Sequence, residues 1–218
     1  MKINFKFNTP LEKLLLAVLS IGLLGVLYDF YIYSHEDEFR MKRELAALLP
    51  KEEKELELLQ RTKDQDCQIQ GPLPDKDCSP GAVFENVTKE KICVQGYTKT
   101  VRSVSTSLRK KVFAEYGIDY PQPYGSYEVD HLIPLSLGGN NDIANLFPEA
   151  QNPYPGFKEK DVVENYLHEE VCKGNISLSA AEQQISNDWI IIYNNLDPKL
   201  ISDFKNKYKS WATSSGLE

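Results

Sequence analysis

The 218-residue chain has no Cys-x-x-Cys pair, no His-Glu-x-x-His segment, no internal repeat and no low-complexity tract. Without paired cysteines it cannot build a zinc knuckle or a thioredoxin-like redox site. Without the two-histidine helix motif, and with only 3 histidines of which His35 lies in a charged N-terminal region, an exported zinc peptidase has little support. The absence of repeats removes solenoids and propellers. What is left is ordinary for a globular protein: 41% hydrophobic residues, 26% charged residues and a formal net charge of −7. Once the first segments are set aside, enough chain remains for one domain of about 150 residues with a real core.

The first segments have their own logic. Leu14 to Tyr28 carries no charge, and apolar character resumes from Phe30 to Tyr33, approaching the roughly 20 residues that cross a bilayer. Lys2, Lys6 and Lys13 precede this run, whereas Asp29, Glu36, Asp37 and Glu38 follow it. The positive-inside rule then keeps the N-terminus cytoplasmic and carries the rest across the membrane. No small-x-small cleavage pattern follows the run, so residues 1–33 read as an uncleaved single-pass anchor, with a cleaved signal peptide and a secreted product as the alternative. The remainder is expected to be periplasmic or extracellular. Residues 34–70 are densely charged, with Leu45, Leu48, Leu49, Leu56 and Leu59 at helical spacing around Pro50, and predict a helical stalk or linker. The globular domain is expected over residues 71–218.

Cys67, Cys78, Cys93 and Cys172 all fall on the exported side, and their even number suits a disulfide framework in an oxidising compartment. Four cysteines allow three pairings. Cys67 with Cys78 and Cys93 with Cys172 is the preferred one. Between Lys89 and Lys111 the chain holds Lys89, Lys91, Lys99, Arg102, Arg109, Lys110 and Lys111 against one acid, Glu90. A local basic run in an acidic protein suits a polyanion whose phosphates it contacts, with Tyr97 close to Arg102 in sequence. The plainer explanation is a solvated helix face, capped by Ser107 and running through Leu108, Val112 and Phe113 to Gly117.

Further on, Tyr127 to Leu132 predicts a short strand, Gly138, Gly139 and Asn140 a turn, and Ile143 to Phe147 a second strand. Residues 148–156 are rich in proline. From Lys158 to Cys172, Val162, Val163, Tyr166, Leu167 and Val171 recur at helical spacing, with Gly174 just beyond. A capping box at Ser179 and Glu182 introduces a helix whose apolar stripe is Ile185, Trp189, Ile192 and Leu196; Trp189 reads as core. A last helix starts near Pro198 and carries Phe204, Tyr208 and Trp211.

The segment Glu128-Val-Asp130-His131-Leu-Ile-Pro134-Leu-Ser-Leu-Gly138-Gly139, followed by Asn145-Leu-Phe-Pro148-Glu149, closely resembles the signature of the HNH endonucleases. Cys93-Val-Gln-Gly96-Tyr97 upstream, with Lys160-Asp161-Val-Val-Glu164 and Val171-Cys172 downstream, resembles an exported branch of that family, and the likeness spans about residues 78 to 193. It implies an α+β fold with a ββα-metal (HNH) core and additional helices, set behind a transmembrane helix and stalk. It also implies hydrolysis of phosphodiester bonds in DNA, or in RNA, with low sequence specificity. His131 would be the general base and Asp130 a ligand for a divalent cation, Mg²⁺ first, with Mn²⁺, Ca²⁺ or Zn²⁺ as alternatives. Asn145 would brace the hairpin loop that holds His131.

These roles have a physical basis beside the likeness. An unprotonated imidazole can take a proton from water near neutral pH. A carboxylate binds a hard cation that neutralises charge on the scissile phosphate and the departing oxygen. Adjacent residues on a regular strand point to opposite faces, so Asp130 and His131 need an irregular strand end to converge. The chain departs from the family pattern at its last position, usually His or Asn at the start of the helix. Glu164 and Asn152 are the candidates, Glu164 ahead, and Asp161, Glu164 and His168 share a helix face. Lys99, Arg102, Arg109, Lys110 and Lys111 would track a nucleic-acid backbone. The rival expectation is a non-catalytic exported module that uses the same scaffold to bind nucleic acid or an acidic polymer.

Overall fold

A computed structural model describes residues 59–208. The expected anchor, most of the expected stalk and Trp211 lie outside the described residues. Among these residues no helix is long and apolar enough to cross a membrane.

Two short strands form the only sheet described. β1 (Tyr127–His131) runs antiparallel to β2 (Leu146–Ala150), with Tyr127 opposite Ala150 and His131 opposite Leu146. The fourteen residues between them are not a tight turn. They hold two 3-10 turns, Leu135–Leu137 and Ile143–Asn145, so the second strand begins three residues later than its sequence pattern predicts. The glycine turn lies between those 3-10 turns. Gly138 ends the first in the left-handed conformation at φ 81, where side chains are strained. Gly139 lies so close to the chain that a Cβ there would sit 1.7 Å from the Ile133 carbonyl oxygen.

Among the described residues six helices accompany the hairpin: α1 (Lys89–Ile92), α2 (Tyr97–Val101), α3 (Thr106–Glu115), α4 (Phe157–Lys173), α5 (Leu178–Asn195) and α6 (Pro198–Lys207). The fold is thus α+β, and its order of strand, strand and long helix matches the pattern read from sequence. Two caps differ from expectation. Ser105, not Ser107, accepts the Leu108 N–H at the start of α3, and Ser177, not Ser179, accepts the Ala180 N–H at the start of α5. In both cases another serine two residues earlier reaches the free amide. Asp197 caps α6 with Pro198 at its first turn, as the proline predicts. Asp188 leaves helical geometry inside α5 and accepts the Ile190 N–H, so it breaks the helix and recaps it.

The main core lies between the inter-strand loop and the helices. Ile133 and Leu137 pack with Val162, Val163, Leu167 and Val171 of α4 and with Ala181, Ile185 and Trp189 of α5. Trp189 is wholly buried, in agreement with its place on the stripe. A second cluster joins Leu132 and Phe147 to Tyr116 and the Cys67–Cys78 disulfide. The other bridge joins Cys93, after α1, to Cys172 near the end of α4, so the preferred pairing holds. The globular unit also starts earlier than residue 71. Arg61 donates to Glu115 at 2.6 Å, Lys63 pairs with Asp75 at 2.9 Å, and the Cys67 N–H reaches the Glu115 carbonyl at 2.9 Å.

Because the backbone itself blocks a side chain at position 139, Gly139→Ala should lower stability by at least about 3 kcal/mol, at the upper end of overpacking costs. Urea denaturation of the full chain would check this. An unchanged midpoint would contradict the packing of the loop.

Candidate functional site

The loop between the strands is built around Asn145. Its side chain is fully buried: Oδ1 accepts the Ile133 N–H at 2.9 Å, and Nδ2 donates to the carbonyls of Ile133 and Asn140, each at 2.9 Å. One amide thus satisfies three backbone groups that would otherwise be buried unpaired, each at a cost of about 1–3 kcal/mol. The brace fixes the chain just after His131, as the motif implies.

Asp130 and His131 do not converge as the motif predicts: both belong to the regular strand β1, and their side chains leave it in different directions. The Asp130 carboxylate turns toward α4. Its Oδ1 accepts the His131 N–H at 2.8 Å and its Oδ2 accepts from Lys160 Nζ at 2.7 Å. The His131 ring turns toward the glycine turn, where Nε2 lies 3.2 Å from Asn141 Oδ1. Burial pushes the imidazole down to about 4, against the opposing effects of Asp130 and the Asn141 hydrogen bond, with Arg102 and Lys160 adding to the depression. The ring is therefore neutral at physiological pH, the form a general base requires.

Lys160 has no assigned role in the sequence reading, yet it organises the site. It is wholly buried and donates to Asp130 Oδ2, to the His131 carbonyl at 2.8 Å and to Glu164 Oε1 at 2.5 Å, with Glu149 Oε2 at 3.7 Å. Burial works against its charge, but Asp130, Glu164 and Glu149 outweigh that and hold its pKa well above the usual lysine range. Asp130 feels the same burial, overcome by Lys160 with help from Glu149 and His131, so its carboxyl stays below the usual range.

The other acids are not so well compensated. Glu149 is fully buried on β2; as a carboxylate its oxygens find no donor, and as an acid it shares its proton with Asp130. Burial, with Asp130 beside it, drives its pKa well upward despite Lys160. Glu164 is raised to about 8, and Asp161 and Glu128 each to about 7, all chiefly by burial and by neighbouring acids. Glu128 and Glu149 face each other across the strand pair.

The oxygens of these acids are the donor type that a hard divalent ion takes, but among the described residues no three of these acids bring ligand atoms together as an ion would need; Lys160 Nζ fills the centre of the group instead. Asp130 and Glu164 are 23% and 17% exposed, while Lys160 is sealed. Asn152 is not brought into this group: it is exposed on the loop after β2 and has no hydrogen bond to the site. His168 lies elsewhere too, with Nε2 3.1 Å from the Ile92 carbonyl oxygen and 3.5 Å from Cys172 Sγ. The Cys93, His168 and Cys172 ligand atoms lie close together, but both sulfurs are spent in the disulfide.

The basic residues divide. Arg102, exposed at the end of α2, is near enough for its charge to act on His131. Lys99, Lys110 and Lys111 are exposed and Arg109 is half-buried. Lys110 sits over the Tyr120 ring at 5.7 Å, and Lys111 lies 3.9 Å from Glu115.

Lys160, Glu149 and Asn141 carry no role in the sequence motif. Lys160 lies in line with Phe157, Val163 and Leu167 on the buried face of α4, and a lysine on that stripe must find a carboxylate. That was a readable signal. Asn141 had none, because nothing local separates it from its neighbour Asn140.

The raised acids make stability depend on pH in a defined direction. Glu128, Asp161 and Glu164 bind protons in the folded state up to about 7, 7 and 8, whereas unfolded acids release them near 4. The folded chain thus holds more protons, and stability contributed by these groups is lost as pH rises through 7 and 8. His131, depressed to about 4, acts oppositely and only below about 6.5. In chelator, the melting temperature should fall between pH 7 and 8.5, and added Mg²⁺ or Mn²⁺ should flatten that fall; a rise over this range would contradict the electrostatics. No family model, curated protein or solved structure matches this chain.

Proposed function

We propose that the chain is a metal-dependent endonuclease of HNH type, which hydrolyses phosphodiester bonds of DNA, or of RNA, with little sequence preference. The observation that carries this reading is the brace of Asn145 across the loop just after β1, at the end of a strand where Lys160 holds Asp130 and burial keeps His131 neutral. The strand, strand and helix order around that brace supports a ββα-metal core.

In this reading His131 takes the proton from the attacking water. Asp130 and Glu164, with Glu149 in reserve, would hold the divalent ion, which supplies a Lewis acid for the phosphate and the departing oxygen. Lys160 holds Asp130 and Glu164 together and offsets part of their mutual repulsion. Arg102 is placed to meet a phosphate near His131, and Lys99, Arg109, Lys110 and Lys111 would extend that contact along the backbone. Two disulfides support an oxidising compartment, consistent with the proposed anchor over residues 1–33 and display outside the cytoplasm.

Lys160 also favours a second reading. Its ammonium already sits among the carboxylates, as it would in a scaffold that binds a polyanion and needs no ion.

A plasmid-nicking assay on the full chain separates the two. The nuclease reading expects nicking that chelator abolishes and that His131→Ala reduces by about 10²- to 10⁴-fold, the usual worth of a general base. It also expects calorimetric Mg²⁺ binding that Asp130→Ala removes. Plasmid retained without nicking, and no heat of Mg²⁺ binding, would decide for the binder.

A further inference from the structure

Asn141 has no part in the brace made by Asn145, yet its amide is held at both ends. Oδ1 accepts the Ser103 N–H at 3.0 Å, and Nδ2 donates to the Val101 carbonyl at 2.7 Å. Reversing the amide would set an NH₂ against an N–H and an oxygen against a carbonyl, so its orientation is fixed. The atom it offers to His131 Nε2 is therefore Oδ1, at 3.2 Å, and an amide oxygen can only accept. Neutral imidazole carries one hydrogen, and that hydrogen must then be on Nε2.

Nδ1 is left with its lone pair. It has no hydrogen-bond partner, and it is not among the sealed polar atoms of the described residues. The groups acting on the ring come from several elements: Asp130 on β1, Arg102 after α2, Lys160 on α4 and Asn141 in the loop. Of these, only Asn141 hydrogen-bonds a ring nitrogen.

We infer that Asn141 is a positioning residue which, gripped by the backbone of Val101 and Ser103, locks His131 in the Nε2–H tautomer and assigns Nδ1 as the atom that receives the proton from water. The inference rests on the nuclease reading for the word base, but the tautomer is a property of the folded chain alone. It also gives the segment after α2 a duty: it reaches His131 through Asn141 and couples the basic region to the reacting nitrogen.

The chain has 3 histidines, so ¹⁵N-histidine labelling of the full chain gives a spectrum that His131→Ala assigns. The expected wild-type result above pH 6 is a protonated Nε2 and a bare Nδ1 for His131, with an Nε2–H proton protected from exchange with water. Asn141→Leu should expose that proton to exchange and lower the nicking rate by roughly 10- to 100-fold, the scale seen when a group that orients a site residue is lost, with KM little changed. Asn141→Asp keeps an acceptor for Nε2–H but sets an oxygen against the Val101 carbonyl, so it should restore protection and rate only in part, and more than Asn141→Leu does. A His131 that carries its hydrogen on Nδ1, or an Nε2–H whose exchange is the same in Asn141→Leu, overturns the proposal even if the plasmid is cut. A protected Nε2–H that depends on Asn141, in a chain that does not nick, upholds the lock and overturns only the nuclease reading.

Discussion

One buried ammonium joins the parts of this domain that matter. Lys160 Nζ, from the second turn of α4, reaches Asp130 and the His131 carbonyl on β1, Glu164 one turn further along its own helix, and the side of Glu149 on β2. No apolar contact could hold the end of a strand and a helix in such definite register, because dispersion and burial carry little directional information. Removing the charge would leave three acids facing each other in a poorly solvated space. The cost of breaking one side of such a buried group is about 3–5 kcal/mol. Geometry at the site and stability of the domain therefore depend on the same atom.

The surrounding acids show that this compensation is partial. One ammonium faces Asp130, Glu149 and Glu164, and Asp161 and Glu128 are close enough to feel the group. The raised pKa values of four of these five acids come first from burial and then from neighbouring acids, and the protein relieves the crowding by keeping protons on them. Strongly perturbed groups gathered around one cation are a trait shared by functional sites and by structural ion-pair networks. In the proposed reading the acids would attract a cation and the neutral His131 would accept a proton.

Much of this was readable in the residues, and what was not has identifiable causes. Element types followed from periodicity: α4 and α6, the buried Trp189 and the position of β1 all came from spacing and caps. Strand β2 was displaced because Ile143 to Asn145, apolar enough for a strand, is wound into a 3-10 turn by the Asp142 side chain, which accepts the Ala144 N–H. Asp130, His131 and Asn145 were legible because they sit at fixed spacing in one motif. Glu164 was reachable through helical periodicity, whereas Asn152 was drawn in by sequence distance alone and the loop carries it outward. Lys160 and Glu149 become meaningful only when β2 and α4 are laid on β1. Asn141 depends on Val101 and Ser103, about forty residues away, and no local pattern encodes that meeting.

The Cys67–Cys78 bridge has a consequence for a chain exposed to proteases. It closes a ring whose intervening loop is rich in proline and glycine, and it fastens the entry of the domain to Tyr116, Leu132 and Phe147. A peptide bond hydrolysed anywhere inside that ring would not release the domain from whatever precedes it, since the two new ends stay covalently joined. The domain would stay tethered after such a nick, and a peptide link that single cleavages could sever becomes, at this point, a double strand.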